Sequence, residues 1–333
     1  MTVLRILHAG PVCTVQDAGR HGYLRFGVTP AGPMDWIAHR MANILAGNAP
    51  GAAAIEIGPG GLSVAAEGGP LRIGIGARGF RVRRDGNDLP TRVALTLQPG
   101  ARLDIAPGPT HLWAYLTVAG GFDTPAVMGS HATHLRSGIG PFGGRALTTG
   151  QGLPVRAEAR ANVAVAKVEE WGLFEPVPPD TGPLRFVPGP QEDAFAPGML
   201  AAFAAATYRV AARSDRMAWR LTGPALTHAQ GHDIVSDGIA PGAIQVPGDG
   251  LPLVLMADRQ PTGGYPKIGT VIRADLPRLA QTRPGQSVRF VPVTPDSAVA
   301  ALRAAIPDPA AIRARGRIIR TVRGLGPNAG QPR

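Results

Sequence analysis

Cysteine is almost missing from this 333-residue sequence. Cys13 stands alone, so no disulfide can form within the chain and no cysteine-based zinc site can be built. The thiol reads as a small buried residue near the start of a strand. Long apolar runs are missing as well. The longest, such as residues 251–257, fall far short of the roughly 18 residues that cross a bilayer, so no membrane span is expected. Residues 1–7 lack a basic stretch followed by a long apolar one, so no secretory signal is expected and the sequence reads as cytoplasmic. Lysine is nearly absent too: of 34 basic residues only Lys167 and Lys267 are not arginine. A lysine that persists against such a bias points to a place where a compact ammonium fits and a guanidinium fork does not. Lys167 lies in an ordinary charged stretch, whereas Lys267 closes the unusual segment Gly263-Gly264-Tyr265-Pro266-Lys267.

The formal charge of +11 raises the question of nucleic acid. Arg313, Arg315, Arg317, Arg320, Arg323 and Arg333 all follow Asp308 in a stretch with no acidic residue, and without them the body keeps +5. The other arginines are scattered, and no zinc finger or aromatic-interleaved basic stripe occurs. No nucleic-acid partner is expected, and residues 307–333 read as a basic, flexible tail.

What the sequence does have is glycine (45), proline (34) and 44% hydrophobic residues, a mixture that suits many short strands joined by turns. It also repeats itself. Residues 40–47 match 216–223 at five of eight positions. Residues 54–57, 69–77 and 99–107 then echo 243–246, 251–257 and 284–292 in the same order. A tandem duplication of one β-rich unit follows. Period-two alternation at 71–75, 102–105 and 287–293 predicts half-buried strands. Helices are expected over 34–46, 197–207 and 297–305, with Asp35 or Asp193 near their starts and Asp296 or Ser297 as a cap. The Pro- and Gly-rich stretch 171–183 reads as a stiff crossing between the units.

Two segments match the dinucleotide fingerprint literally, Gly74-x-Gly76-x-x-Gly79 and Gly138-x-Gly140-x-x-Gly143. Neither is followed by a helix to meet a pyrophosphate, so both read as turns. The pairs His131/His134 and His228/His232 have no carboxylate or cysteine to complete a metal set, and no metal site is expected. No Gly-x-Ser-x-Gly elbow is present. The segment 258–267 is different, because Asp258, Arg259, Gln260, Thr262, Tyr265 and Lys267 share ten residues with Gly263 and Gly264. Lysine and tyrosine stabilise a developing oxyanion, and an aspartate acts as base or orients another group. Lys267, Tyr265 and Asp258 are therefore the candidate catalytic residues, with Lys267 expected on a half-exposed loop. Arg259, Gln260, Thr262, Gly263, Gly264 and Gln245 join Gln16, Asp17, Asp35 and Asn43 from the first half as candidate substrate contacts.

Residues 14–20 (Thr-Val-Gln-Asp-Ala-Gly-Arg), 32–35 (Gly-Pro-Met-Asp), Gly47-Asn48 with Glu56, 120–123 (Gly-Gly-Phe-Asp), 214–217 (Ser-Asp-Arg-Met) and 263–267 together resemble the biotin-dependent carboxyltransferase, or allophanate hydrolase subunit 2, family. The match runs in order from about residue 3 to 305. The family includes the carboxyltransferase part of urea carboxylase and the C subunit of bacterial 5-oxoprolinase. The resemblance implies a mainly β fold of two cyclophilin-like β-barrel domains with a few short helices, here 1–170 and 184–306. It implies work in a heteromeric complex with a homologous subunit 1 (the B subunit of oxoprolinase) and a third, ring-opening subunit. The expected reaction is ATP-dependent opening of a small cyclic amide, 5-oxoproline to glutamate, with ATP shared with the partners and the isolated chain inactive. Two alternatives remain: a biotin-dependent carboxyltransferase acting on urea or a related amide, and a non-catalytic regulatory module. The chain departs from the family at His131 and His134, where Arg and Asp are usual, and at Ala218-Trp219, where Gly-Tyr is usual.

Overall fold

A computed structural model describes residues 2–156, 170–174 and 182–319. Lys167, Arg320, Arg323, Arg333 and residues 175–181 of the expected crossing lie outside them. The chain is mainly β, as the composition predicts, and its strands fall into two groups.

In the first unit, a six-stranded sheet containing Val3–Ala9, Leu62–Glu67, Arg102–Ala106 and Arg81–Arg84 faces a seven-stranded sheet containing Thr14–Gln16, Ala54–Ile57, Ala114–Val118, Leu71–Gly76 and Arg92–Leu97. The alternation expected at 102–105 is seen directly: Leu103 and Ile105 are buried while Arg102 and Ala106 are exposed. Leu4, Ile6, Val64 and Ile105 of one sheet meet Ile55, Ile73, Leu95 and Leu116 of the other in one core. Isolated bridges Ala66–Pro99 and Phe122–Val155 tie the margins of the two sheets together. The second unit is a closed seven-stranded barrel, in which Leu184–Pro188 pairs antiparallel with Lys267–Val271 and parallel with Ser287–Pro292. Its interior is aromatic: Phe203 stacks on Phe290 at 4.7 Å between ring centroids and meets Phe186 edge-on at 5.3 Å.

Helix α1 (Trp36–Ala46) starts where Asp35 accepts a hydrogen bond from Ala38 N at 2.9 Å, and it stops at left-handed Gly47. Helices α2 (Met199–Ala205), α3 (Leu276–Gln281), α4 (Pro295–Ala305) and α5 (Pro309–Arg315) follow. Thr294, rather than Asp296 or Ser297, caps α4. The expected helix over 197–207 is shorter because Thr207 already belongs to strand Thr207–Val210.

Several expectations need correction. Three of the four repeated segments are strands in both copies, but residues 40–47 lie on α1 while 216–223 lie around strand Ala218–Thr222. In the second copy Trp219 and Leu221 alternate with exposed Arg220 and Thr222, a period-two pattern that overrides the shared letters. Gly74 and Gly76 are not turn residues. They sit inside strand Leu71–Gly76 beneath α1, where an added Cβ would lie 2.1 Å from Ala42 O and 2.4 Å from Ala38 O. Their missing side chains let the helix lie directly on the sheet. The basic segment after Asp308 is not frayed as far as it is described. Asp308 caps α5, and Arg317–Ile318 pairs with Trp171–Gly172 at the margin of the first unit's seven-stranded sheet. No helix among the described residues is long and apolar enough to cross a membrane.

Candidate active site

A charged residue inside the apolar strand Ala54–Ile57 anchors the seam between the units. Glu56 is fully buried and accepts hydrogen bonds from Met34 N at 2.8 Å and from the Tyr115 hydroxyl at 2.6 Å. Its other oxygen meets Nη1 of Arg216, which comes from the second unit. Arg216 also grips Asp258 in bidentate fashion, Nε and Nη2 donating at 2.9 and 2.8 Å, and reaches the Gly32 carbonyl at 2.8 Å. Burial alone would lower the Arg216 pKa, but the Asp258 and Glu56 charges raise it above the ordinary value, so the guanidinium stays charged. Burial pushes Glu56 upward, and Arg216 pulls it back. A second link crosses the same seam: Gln281 of α3 donates to Asp35 at 2.8 Å and accepts from the backbone N–H groups of Leu112 and Trp113.

The candidates from the first half are buried and internally bonded. Gln16 donates to Thr14 and to Thr133 O and accepts from Gly32 N, which joins three loops. Asp17 accepts from Ser130 Oγ at 2.7 Å and from His131 N at 2.6 Å. Asn43 donates to Ala52 O at 2.9 Å and accepts from Asn48. These side chains brace the loops that frame the seam. His131 and His134 lie beside them. His131 meets Thr124 and His134 meets Ser137, while the His134 Nε2 is buried without a hydrogen-bond partner. Burial lowers the His134 pKa against the opposing pull of Asp258.

The candidates of segment 258–267 divide. Tyr265 is exposed, and its carbonyl accepts weakly from Gln245 Nε2 at 3.4 Å. Gln260 and Thr262 are exposed as well. Gly263 lies against Gln245, whose nitrogen would be 2.7 Å from an added Cβ, while Gly264 has more room. Lys267 is not a half-exposed loop residue. It opens strand Lys267–Val271 at 3% exposure, and its ammonium donates to Asp237 Oδ2 at 2.9 Å. Asp258 is held by Arg216 and is not a free base. The segment therefore disperses into the buried Arg216–Asp258 pair, the Lys267–Asp237 pair with its exposed carboxylate, and an exposed tip.

What the seam gathers is a cavity. On one flank of α1 lies a space of about 330 Å³ between the loops of the first unit and Pro241, Met256, Arg259 and Leu276 of the second. Arg40, Arg259 and Arg273 line it, with His39 and the apolar Met34 and Trp36. On the other flank a space of about 400 Å³ takes Asp35, Arg78, His111 and Gln281. Of the expected contacts only Arg259 lines the first cavity and only Asp35 the second. Sequence reading missed Glu56 as a site residue, although an acid in an otherwise apolar strand is itself a signal, and it missed Arg216, Arg40 and Arg273. Arg216 stood in a recognised segment, but its partners lie 42 and 160 residues away.

Residues 26–292 match the carboxyltransferase domain, subdomain A and B. The 5-oxoprolinase C subunit of Escherichia coli (strain K12) is 38% identical over 301 residues, covering 90% of this chain and 94% of that protein. The protein of the same name from Haemophilus influenzae is 33% identical, covering 88% and 92%. The crystal structure of the K. lactis urea amidolyase superposes with a TM-score of 0.80 at 25% identity, over 91% of this chain but only 20% of that one.

Proposed function

Because this chain belongs to the carboxyltransferase subdomain A and B family, we propose that it serves as the C subunit of an ATP-dependent 5-oxoprolinase-type complex, which opens 5-oxoproline to glutamate. One observation carries this reading. The two relatives named as 5-oxoprolinase C subunits are matched along 94% and 92% of their own length, whereas the matched urea amidolyase structure is covered over 20%. The matched span thus amounts to nearly a whole protein in the one case and to a small part in the other.

The chemistry suits shared labour. A lactam is unreactive toward water, so ATP supplies the activation, and a polar site must hold the lactam carbonyl and the carboxylate. A cavity of about 330 Å³ stands at the small end of ligand sites, which span about 300–1,000 Å³, and suits the lactam better than a nucleotide. ATP is assigned to a site shared with the homologous B subunit and the third, ring-opening subunit. In this reading Asp258 acts through Arg216 and Lys267 through Asp237, as positioning residues, and Tyr265 at the exposed tip meets substrate or a partner.

The family name and the urea amidolyase superposition favour a second reading, carboxyl transfer from carboxybiotin to urea. Co-expression with the two partner subunits decides between them. ATP-dependent glutamate release from 5-oxoproline is expected, with no carboxylation of urea when a biotinylated carrier is supplied. Urea carboxylation without glutamate release would reverse the assignment.

A further inference from the structure

We propose that the cavity beside α1 is a carboxylate pocket, in which Arg40, Arg259 and Arg273 hold the acid group of a small cyclic amide acid. This rests on the reading above, since 5-oxoproline is a five-membered lactam bearing one carboxylate.

The charge inventory is one-sided. Three guanidinium groups line the cavity, and among the described residues no aspartate or glutamate does. Arg259 is only 5% exposed. Its Nε donates to Ile239 O at 2.9 Å and Nη1 reaches Met256 O at 3.5 Å, and it has no ion pair among the described residues. The neighbouring carboxylate, Asp258, is turned to Arg216 instead. Burial without a counter-ion lowers the Arg259 pKa to about 10, a measure of the unmet charge. A buried, uncompensated cation is costly, and an anion that enters only with the substrate removes that cost.

Arg40 is similarly available. It projects from α1 into the same space, its Nε is buried without a partner, and it makes no hydrogen bond or ion pair among the described residues. Arg273, at the exposed mouth, lies over the Trp36 ring at 5.9 Å. Guanidinium forks match the two oxygens of a carboxylate, and Arg259, already anchored on Ile239 O, loses little freedom on binding it. The rest of the wall suits a lactam ring: Met34, Trp36 and Met256 are apolar, and buried His39 is neutral because burial lowers its pKa to about 4. Segment 258–267 offers no comparable grip, since the Lys267 ammonium already holds Asp237.

Calorimetry on the full chain tests this with three probes: 5-oxoproline, 2-pyrrolidinone (the same ring without the carboxylate) and inorganic phosphate. Binding of 5-oxoproline is expected, at least tenfold weaker for 2-pyrrolidinone and at least tenfold weaker in Arg40→Gln, whose melting without ligand should be unchanged because Arg40 bonds none of the described residues. Arg259→Gln should weaken binding further, although its carbonyl contacts make Arg40→Gln the cleaner variant. No binding of 5-oxoproline, equal affinity for the two lactams, an unaffected Arg40→Gln, or phosphate that 5-oxoproline cannot displace would each overturn the pocket. In the assembled complex, Arg40→Gln should raise KM for 5-oxoproline at least tenfold. An active complex with unchanged KM defeats the pocket alone. An inactive wild-type complex whose free chain still binds 5-oxoproline through Arg40 defeats the functional reading alone.

Discussion

Lys267 shows how much one side chain's surroundings decide. A solvated loop lysine could be exchanged with little effect on stability. A lysine at 3% exposure that holds Asp237 could not. Lys267→Ala should cost about 1–3 kcal/mol, and Lys267→Arg, which must fit a larger fork into the same slot, a similar amount. Melting and turnover of both variants separate the roles: turnover lost beyond what melting explains supports a part in the chemistry, and turnover that follows melting makes the residue structural. His39 gives a pH prediction. Its imidazole is buried and its pKa is lowered to about 4, so below about pH 6.5 the unfolded chain takes up a proton that the native state refuses. Stability therefore falls as pH drops through this window, by about 2 kcal/mol between pH 7 and pH 5 at about 1.36 kcal/mol per unit. His39→Gln should flatten that loss in urea titrations at the two pH values. An equal loss in both proteins would contradict a neutral buried ring.

Among the elements, α1 organises the seam, and its fit depends on two glycines. Gly74→Ala puts a methyl 2.1 Å from Ala42 O, against backbone that has no room to yield. The expected destabilisation is about 3 kcal/mol. Gly238→Ala, where an added Cβ meets nothing within 4 Å, should change stability far less. Urea midpoints of the two variants check this, and similar values would mean that α1 does not rest on the strand as described. The same region shows what was legible. Helix α1 could be read from Asp35, its apolar positions and Gly47, all local signals. Helix α3 could not, because six residues beginning Leu276-Pro277 look like a turn until Gln281 is seen bonded across the seam. Gly74 and Gly76 have a strand after them, Arg81–Arg84, and not a helix, yet they belong to a strand themselves, since packing under a helix leaves the same letters as a turn. At the site, the segments around Asp258 and Arg216 were recognisable, but their pairing with Glu56 is a tertiary fact without local periodicity. The basic cavity was illegible for the same reason, as its arginines come from α1 and from two loops of the second unit.

For the whole molecule, the Glu56–Arg216–Asp258 cluster and the Gln281 bridge join the two β units. Arg216→Met would strand two buried carboxylates, and breaking a buried pair in this way costs about 3–5 kcal/mol. The variant should unfold earlier, and its two units should separate into distinct transitions where the parent shows one. Calorimetric scans of the two proteins test this, and an unaltered single transition would show that the units do not depend on the cluster. The proposed function makes this chain one working part of a lactam-opening assembly. Its most direct test is omission: the two partner subunits are mixed with ATP and 5-oxoproline, glutamate is followed, and this chain is then added. No glutamate before the addition, and release that rises with added chain until the subunits are matched, is the predicted result. Equal release with and without the chain, or none when all three folded subunits are present, would contradict it.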